Sequence, residues 1–287
     1  MKIKHVQFPM FLPPPGLKRT LRLTMGRILL ALQPGLRQKI EKGQIPDYLS
    51  VWDKCSIGAV VAAHSQAGTL DKLNHLHQWA WKKDQAVEFH SQASTFFKQY
   101  WLEHHSAIEP EIRKEIQRVP GQYSTLCEIG CGTGLVLQHL GNHLTELKRF
   151  VGLDLSPAQI KLNQENFRGL DKYAFAAADA AEWIPQQAQP GWIYFTNAGV
   201  LEYFPRATLA KLFADVMATK QPAAFAIIEP IGSYDLDRET ESRPHGHEHS
   251  LAHNYRLLFK EAGFTIRFET TQEFDGQRWI LLIASTN

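Results

Sequence analysis

The hydrophobic pattern of this chain changes period once, near Pro120-Gly121. Ahead of that point apolar positions recur at helical spacing. Leu17, Leu21, Met25, Ile28, Leu29 and Leu32 form one stripe, with Lys18, Arg19, Arg22 and Arg27 on other faces. Pro13-Pro14-Pro15-Gly16 precedes this helix and Pro34-Gly35 is read as its end. Further helices are expected over 48–63, 69–81, 85–104 and 110–118. Beyond Gly121 short apolar runs alternate with helical stretches. Strands are expected over 124–129, 149–153, 174–178, 192–197, 223–229, 264–271 and 279–284. Helices are expected between the first six, over 135–144, 157–166, 180–187, 206–218 and 251–262. Ser156-Pro157 is a good helix start, and Ala262-Gly263 a good stop. Only Glu273-Phe274-Asp275-Gly276 separates the last two strands, which implies a hairpin. The expected fold class is α/β: a doubly wound sheet of seven strands, six parallel and the last antiparallel. It divides into a helical N-terminal lid over 1–120 and a sheet domain over 121–287.

Composition adds three constraints. An apolar fraction of 44% with 21% charged residues is that of an ordinary globular protein. The charge is uneven: the first forty residues hold eight Lys or Arg and no acid, leaving a net −6 on the remainder of a chain that totals +2. The helix over 17–32 could therefore lie on an anionic membrane surface, bind a partner, or pack on the acidic remainder, and packing is the first expectation. Cys55, Cys127 and Cys131 make no C-x-x-C pair and too small a set for a disulfide framework, so a reducing cytoplasm is expected. No apolar run reaches the roughly 18 residues of a membrane span.

The candidate chemistry starts at Glu128-Ile129-Gly130-Cys131-Gly132-Thr133-Gly134. This loop follows an apolar strand and opens a helix, so its N–H groups and the helix's positive end meet at the sheet's carboxyl edge. A dinucleotide fingerprint needs a third glycine at 135, where the chain has Leu. Glu128, two residues ahead of the glycines, disfavours a pyrophosphate and suits a ligand carrying an ammonium and a sulfonium. Asp154 ends the second strand, where a carboxylate can accept both ribose hydroxyl protons. Asp179 ends the third, where it can accept from an adenine amino group. One such acid is commonly a cap; three at successive strand ends make a set.

The segment from Tyr123 onward resembles a class I S-adenosylmethionine-dependent methyltransferase. The likeness rests on 127–134, Val151-Gly152-Leu153-Asp154-Leu155-Ser156, Ala178-Asp179-Ala180-Ala181 and Asn197-Ala198-Gly199-Val200-Leu201. The resemblance implies S-adenosyl-L-methionine as cofactor. Glu128, Gly130, Cys131, Gly132 and Gly134 would line its methionine end, with Asn197 nearby. Asp154 would hold the ribose, Leu155 would lie against the adenine, and Asp179 and Ala180 would meet its amino edge. The first 120 residues match no family in this reading.

The acceptor is expected to be a small molecule, with O-methylation slightly ahead of N-methylation. The fourth strand's exit, through Glu202, lacks the Asn/Asp-Pro-Pro-aromatic signature of nucleobase amino methylation and a catalytic Pro-Cys, which disfavours nucleic acid. The fifth strand leads to a loop holding His245, His247, Glu248 and His249, then His253 and Tyr255. His249 and His253 share a face if the helix begins that early, so His249, His253, Tyr255 and Glu202 are the candidate catalytic groups. A solvated loop, or a metal held by His245, His247 and Glu248, are the competing readings; no metal site is assigned. The rivals at the level of function are a protein or nucleic-acid methyltransferase docked by the basic N-terminus, and a non-catalytic cofactor-binding scaffold.

Overall fold

The computed structural model describes residues 16–82, 90–91, 93–187, 189–246, 250–274 and 276–286. The start of the helix expected at 85, Pro13 to Pro15, His247, Glu248, His249 and Asp275 lie outside them.

The N-terminal helices are α1 (Leu17–Leu32), α2 (Pro34–Glu41), α3 (Val51–Ala67) and α4 (Asn74–Trp81), the last entered through a 3-10 turn at Leu70–Leu73. Pro34 ends α1 as expected, but its fixed φ also starts α2, where it occupies the first turn. Ser50 and Asp53 form a reciprocal capping box at the start of α3, with bonds of 3.1 and 2.9 Å. The expected burial of α1 is reversed. Gly26 is the contact with α3: a Cβ there would stand 2.0 Å from the Cys55 carbonyl oxygen. Leu23 and Leu30 turn inward with it, toward Ile57, Val60 and Leu73. The stripe Leu17, Leu21, Met25, Ile28 and Leu32 faces out instead, 37–77% exposed.

The chain then passes through α5 (Ala93–Phe96), a wider π-turn at Phe97–Leu102 and a 3-10 turn at His105–Ile108 into α6 (Glu109–Arg118). Trp101, Ile108, Ile112 and Ile116 pack with Leu126, Leu137, Phe150 and Phe195 in a core on one face of the sheet. The boundary expected near 120 therefore cuts through a single cluster, and the helices with a core of their own are α1 to α4.

The sheet alternates as expected: β1 (Thr125–Ile129), α7 (Leu135–His143), β2 (Arg149–Asp154), α8 (Pro157–Asn166), β3 (Tyr173–Ala177), α9 (Ala180–Gln187), β4 (Trp192–Thr196), α10 (Arg206–Ala218) and β5 (Ala223–Pro230). A short hairpin, β6 (Arg243–His245) and β7 (Ser250–Ala252), follows, then α11 (Tyr255–Glu261), β8 (Thr265–Phe274) and β9 (Gln277–Ser285). The order is β3-β2-β1-β4-β5-β9-β8, parallel except for β9. All residues of β1, β4 and β5 are buried, as expected for strands covered on both faces. β1 lies between β2 and β4, so the chain reverses its direction of winding there, and the crevice opens beyond the carboxyl ends of these strands. The helix expected over 251–262 is shorter, because Ser250–Ala252 pairs with Arg243–His245 and the Asn254 side chain caps Leu257 N at 3.0 Å.

Candidate functional site

The crevice is built around the Gly-rich loop. Gly130, Gly132 and Gly134 have φ of 70, 48 and 77°, a region that only glycine enters without cost. Side chains would also collide: a Cβ on Gly130 would stand 2.7 Å from Val200. The loop is latched to β2. Gly132 N donates to Asp154 Oδ2 at 3.0 Å, Ser156 N to Asp154 Oδ1 at 2.9 Å, and Asn163 Nδ2 to the Gly132 carbonyl at 2.7 Å. Asp154 is thus fixed at the strand's end with Leu155, partly exposed, beside it. Asp179 Oδ1 accepts from Ala181 N at 2.9 Å at the start of α9, whose first residue is the buried Ala180. Cys131 is buried under the loop.

Glu128 is the anomaly. It is buried at the carboxyl end of β1, and its Oε2 has no hydrogen-bond partner. Burial raises its pKa well above the usual carboxylate range and the nearby Asp154 adds to this, while the Leu137 N–H pulls the other way. A buried acceptor with no donor is costly, so the position calls for a ligand that brings one.

The N-terminal helices reach into this crevice. Gln78 Nε2 of α4 donates to Asp179 Oδ2 at 2.6 Å. The His90 ring would stand 3.0 Å from a Cβ on Gly132, and its Nε2 lies 3.9 Å from Asp154 Oδ2. Trp81 stacks on His90 with ring centroids 6.1 Å apart, and Tyr203 meets Trp81 edge-on. Burial lowers the His90 pKa and Asp154 opposes the shift. At the exit of β4, His105 Nδ1 stands 2.7 Å from Asn197 Oδ1. His105 is completely buried among Tyr100, Phe274 and Trp279, and burial pushes its pKa down to about 4. Its Nε2 has no hydrogen-bond partner.

The histidines expected beyond β5 fare differently. His253 is completely buried, with Nδ1 2.5 Å from Ser242 Oγ, and burial drives its pKa down to about 3. It lies ahead of α11 and outside any helix, and its contact with Ser242 ties the β5–α11 loop together; it is not open to an acceptor. Tyr255 is buried too, its pKa raised by burial and then by Glu229 and Glu202. Glu202 stays at the crevice, nine-tenths buried with its carboxylate against Gly199. His245 is the one described member of the metal set read from the sequence, and its ring packs against Gly232.

Sequence reasoning missed Gln78, His90, His105 and Glu229. The last accepts from Val200 N and Leu201 N at 3.0 Å each, pinning the loop after β4 where Ala198 has φ 61°. Burial raises the Glu229 pKa to about 7 against the pull of Thr196 and these N–H groups. The one signal in the sequence for any of the four was the His104-His105 pair after an aromatic run.

Residues 126–222 match the family model described as a methyltransferase domain. No curated protein matches the chain. Among solved structures, a SAM-dependent methyltransferase from Leishmania major is similar over 70% of this chain and 81% of its own, at 17% identity and a TM-score of 0.51. The methyltransferase partner of the Trm112 methyltransferase activator from Haloferax volcanii is similar over 71% and 97%, at 14% identity and a TM-score of 0.51. A magnesium protoporphyrin IX methyltransferase from Synechocystis, solved with bound SAM, aligns over 71% and 97%, at 12% identity and a TM-score of 0.43. At these identities the likeness to the structures is one of fold.

Proposed function

We propose that the sheet domain of this chain, whose residues 126–222 match the methyltransferase-domain model, is a class I S-adenosylmethionine-dependent methyltransferase domain, and that the protein methylates a small molecule bound beneath its N-terminal helices. One observation carries the cofactor assignment at the level of residues: the buried, unpartnered Oε2 of Glu128 beside three glycines of positive φ. That arrangement fits a ligand with an ammonium group pressed against bare backbone. In this reading Glu128, Gly130, Cys131, Gly132, Gly134 and Asn197 hold the methionine portion. Asp154 takes the ribose, with Leu155, Asp179 and Ala180 around the adenine. Bound there, S-adenosylmethionine supplies an electrophilic methyl group on a sulfonium.

His105 is the proposed proton acceptor. Its Nδ1 donates to Asn197 Oδ1, which leaves the lone pair on Nε2, and burial keeps the ring neutral. Nε2 then takes the proton that a hydroxyl acceptor releases, once entry of the acceptor parts the Tyr100, Phe274 and Trp279 rings that cover it. An amine acceptor would not need this group, so the arrangement favours O-methylation over N-methylation. Glu202 remains a candidate acceptor-binding group, and so does His249, which lies outside the described residues. The contacts of Gln78 and His90 with Asp179 and Asp154 support a lid: these side chains take the carboxylates that the nucleoside would use.

A second feature bears on where the acceptor is met. The outward stripe of α1 spans about 80° of the helix, opposite Gly26, and is flanked by Lys18, Arg22 and Arg27. This supports peripheral contact with an anionic membrane surface. Among the described residues no helix is long and apolar enough to cross a membrane.

The test of the central reading is calorimetric titration of S-adenosylmethionine and S-adenosylhomocysteine into the wild type and Asp154→Ala. Binding of both, lost in the variant, is expected. Binding of neither, with the two proteins identical, overturns it. A methyl-transfer screen against small-molecule pools then separates this reading from a protein or nucleic-acid acceptor.

A further inference from the structure

The two histidines of α7 stand one turn apart and meet an acid from a different helix. His139 Nε2, His143 Nδ1 and Glu109 Oε2 form a triangle with sides of 2.9, 3.1 and 3.4 Å. Ligand atoms about 2.0–2.2 Å from a common zinc-type ion are separated by about 2.9 Å at right angles and about 3.4 Å at the tetrahedral angle. The triangle falls in that range. An ion equidistant from all three atoms would stand about 1 Å above their plane.

Hydrogen bonds alone serve this triangle poorly. His139 Nε2 is within bonding distance of both a carboxylate oxygen and another ring nitrogen, and a ring nitrogen carries at most one proton. One cation at the centre satisfies three lone pairs together. Imidazole nitrogens favour zinc, cobalt, nickel or copper over magnesium or calcium, which take oxygen ligands.

The surroundings are those of a supported site. Phe97 and Trp101 meet the His139 ring edge-on, each at 5.7 Å, and give it an apolar wall. Arg113 lies 3.9 Å from the other oxygen of Glu109, and its charge is met by Glu146 at 3.0 Å. The same guanidinium donates to the His143 carbonyl at 2.7 Å, fixing the end of α7. His143 is about half exposed, which leaves an open side for entry and for water as a further ligand.

We propose that Glu109, His139 and His143 bind one divalent transition-metal ion of the zinc type, which ties α6 to α7. The role is structural, because α7 runs from the Gly-rich loop at its first turn to these histidines at its last two. The ion would brace the helix whose start forms the cofactor cradle, without touching the cradle.

The experiment is titration of zinc chloride into chelator-treated full-length protein, read by calorimetry and by melting temperature. Cobalt(II) absorption reports the geometry. We expect one tight equivalent, a zinc-dependent rise in melting temperature, and an intense visible cobalt band. His143→Gln, on the exposed side and away from the core, should weaken binding at least about 100-fold, as for loss of a direct ligand. His245→Gln, in the other His-rich segment, should leave binding unchanged. Absence of saturable zinc binding overturns the proposal. So does a tight equivalent that survives in His143→Gln and in Glu109→Gln.

Discussion

Gln78 Nε2 donates a 2.6 Å hydrogen bond to Asp179 Oδ2, joining positions 101 residues apart. The bond lands on the one oxygen of Asp179 that its own backbone does not use, since Ala181 N holds Oδ1. His90 does the same kind of thing at Asp154, at the longer distance of 3.9 Å. The N-terminal helices therefore rest on two of the three strand-end acids, and a nucleoside entering the crevice meets those side chains first.

That competition can be measured. If Gln78 must leave Asp179 before adenine binds, Gln78→Ala removes an obstacle. A hydrogen bond to a charged acceptor contributes about 1.5–3 kcal/mol, less here because both groups are partly exposed. We expect S-adenosylhomocysteine to bind about three- to tenfold more tightly to the variant in calorimetry. Weaker binding would show that Gln78 stays in place and holds the ligand itself.

The proposed proton acceptor makes a kinetic prediction. His105→Asn should lower kcat by about 10²- to 10³-fold for a hydroxyl acceptor. KM should change little, and any change in cofactor affinity would report the loss of the bond that His105 makes to Asn197. With a pKa of about 4, His105 leaves no ionisation in the neutral range, so the kcat profile should be flat from about pH 5.5 to 7.5 as far as this group is concerned. A variant with undiminished turnover would remove His105 from the mechanism.

Stability should respond to acid through opposed buried groups. His253 and His105 have folded pKa values of about 3 and 4, below the unfolded 6.5, so the unfolded chain binds more protons in this window. Their contribution is complete above pH 6.5 and is lost as the pH falls toward those values. Glu229 runs the other way. Its folded pKa of about 7 exceeds the ordinary 4.5, so its burial costs stability as pH rises through that interval, by roughly 3 kcal/mol in full. Relative to the wild type, Glu229→Gln should therefore lose more melting temperature between pH 7 and pH 5. An equal or shallower slope in the variant contradicts the assignment.

How far the sequence spoke follows from distance along the chain. The strands were legible because β1, β4 and β5 are mainly apolar runs bounded by turn residues, and Glu128, Asp154 and Asp179 because strand ends are local features. His105 pairs with Asn197 across 92 positions, and no local pattern encodes such a contact. His253 read as a helix residue open to an acceptor, because its burial depends on Ser242 and on a hairpin too short to signal itself. For α1 the periodicity showed the apolar stripe but not which side meets α3. One residue decides that: Gly26 allows the backbones to touch, which turns the larger side chains outward.

The outward stripe yields the last prediction. A stripe of five large apolar residues flanked by Lys18, Arg22 and Arg27 should partition onto bilayers containing anionic lipid and not onto neutral ones. In co-sedimentation with phosphatidylserine-containing vesicles, the wild type should bind at low salt and weaken as ionic strength rises. Each buried Leu or Ile contributes about 1.5–3 kcal/mol, so Leu21→Glu with Ile28→Glu should reduce partitioning at least about tenfold. Both positions point away from α3, so the double variant should keep its melting temperature. Equal sedimentation with neutral vesicles, or no change in the double variant, would assign the stripe to another partner, and a concentration-dependent dimer lost in the same variant would identify a second copy of the chain.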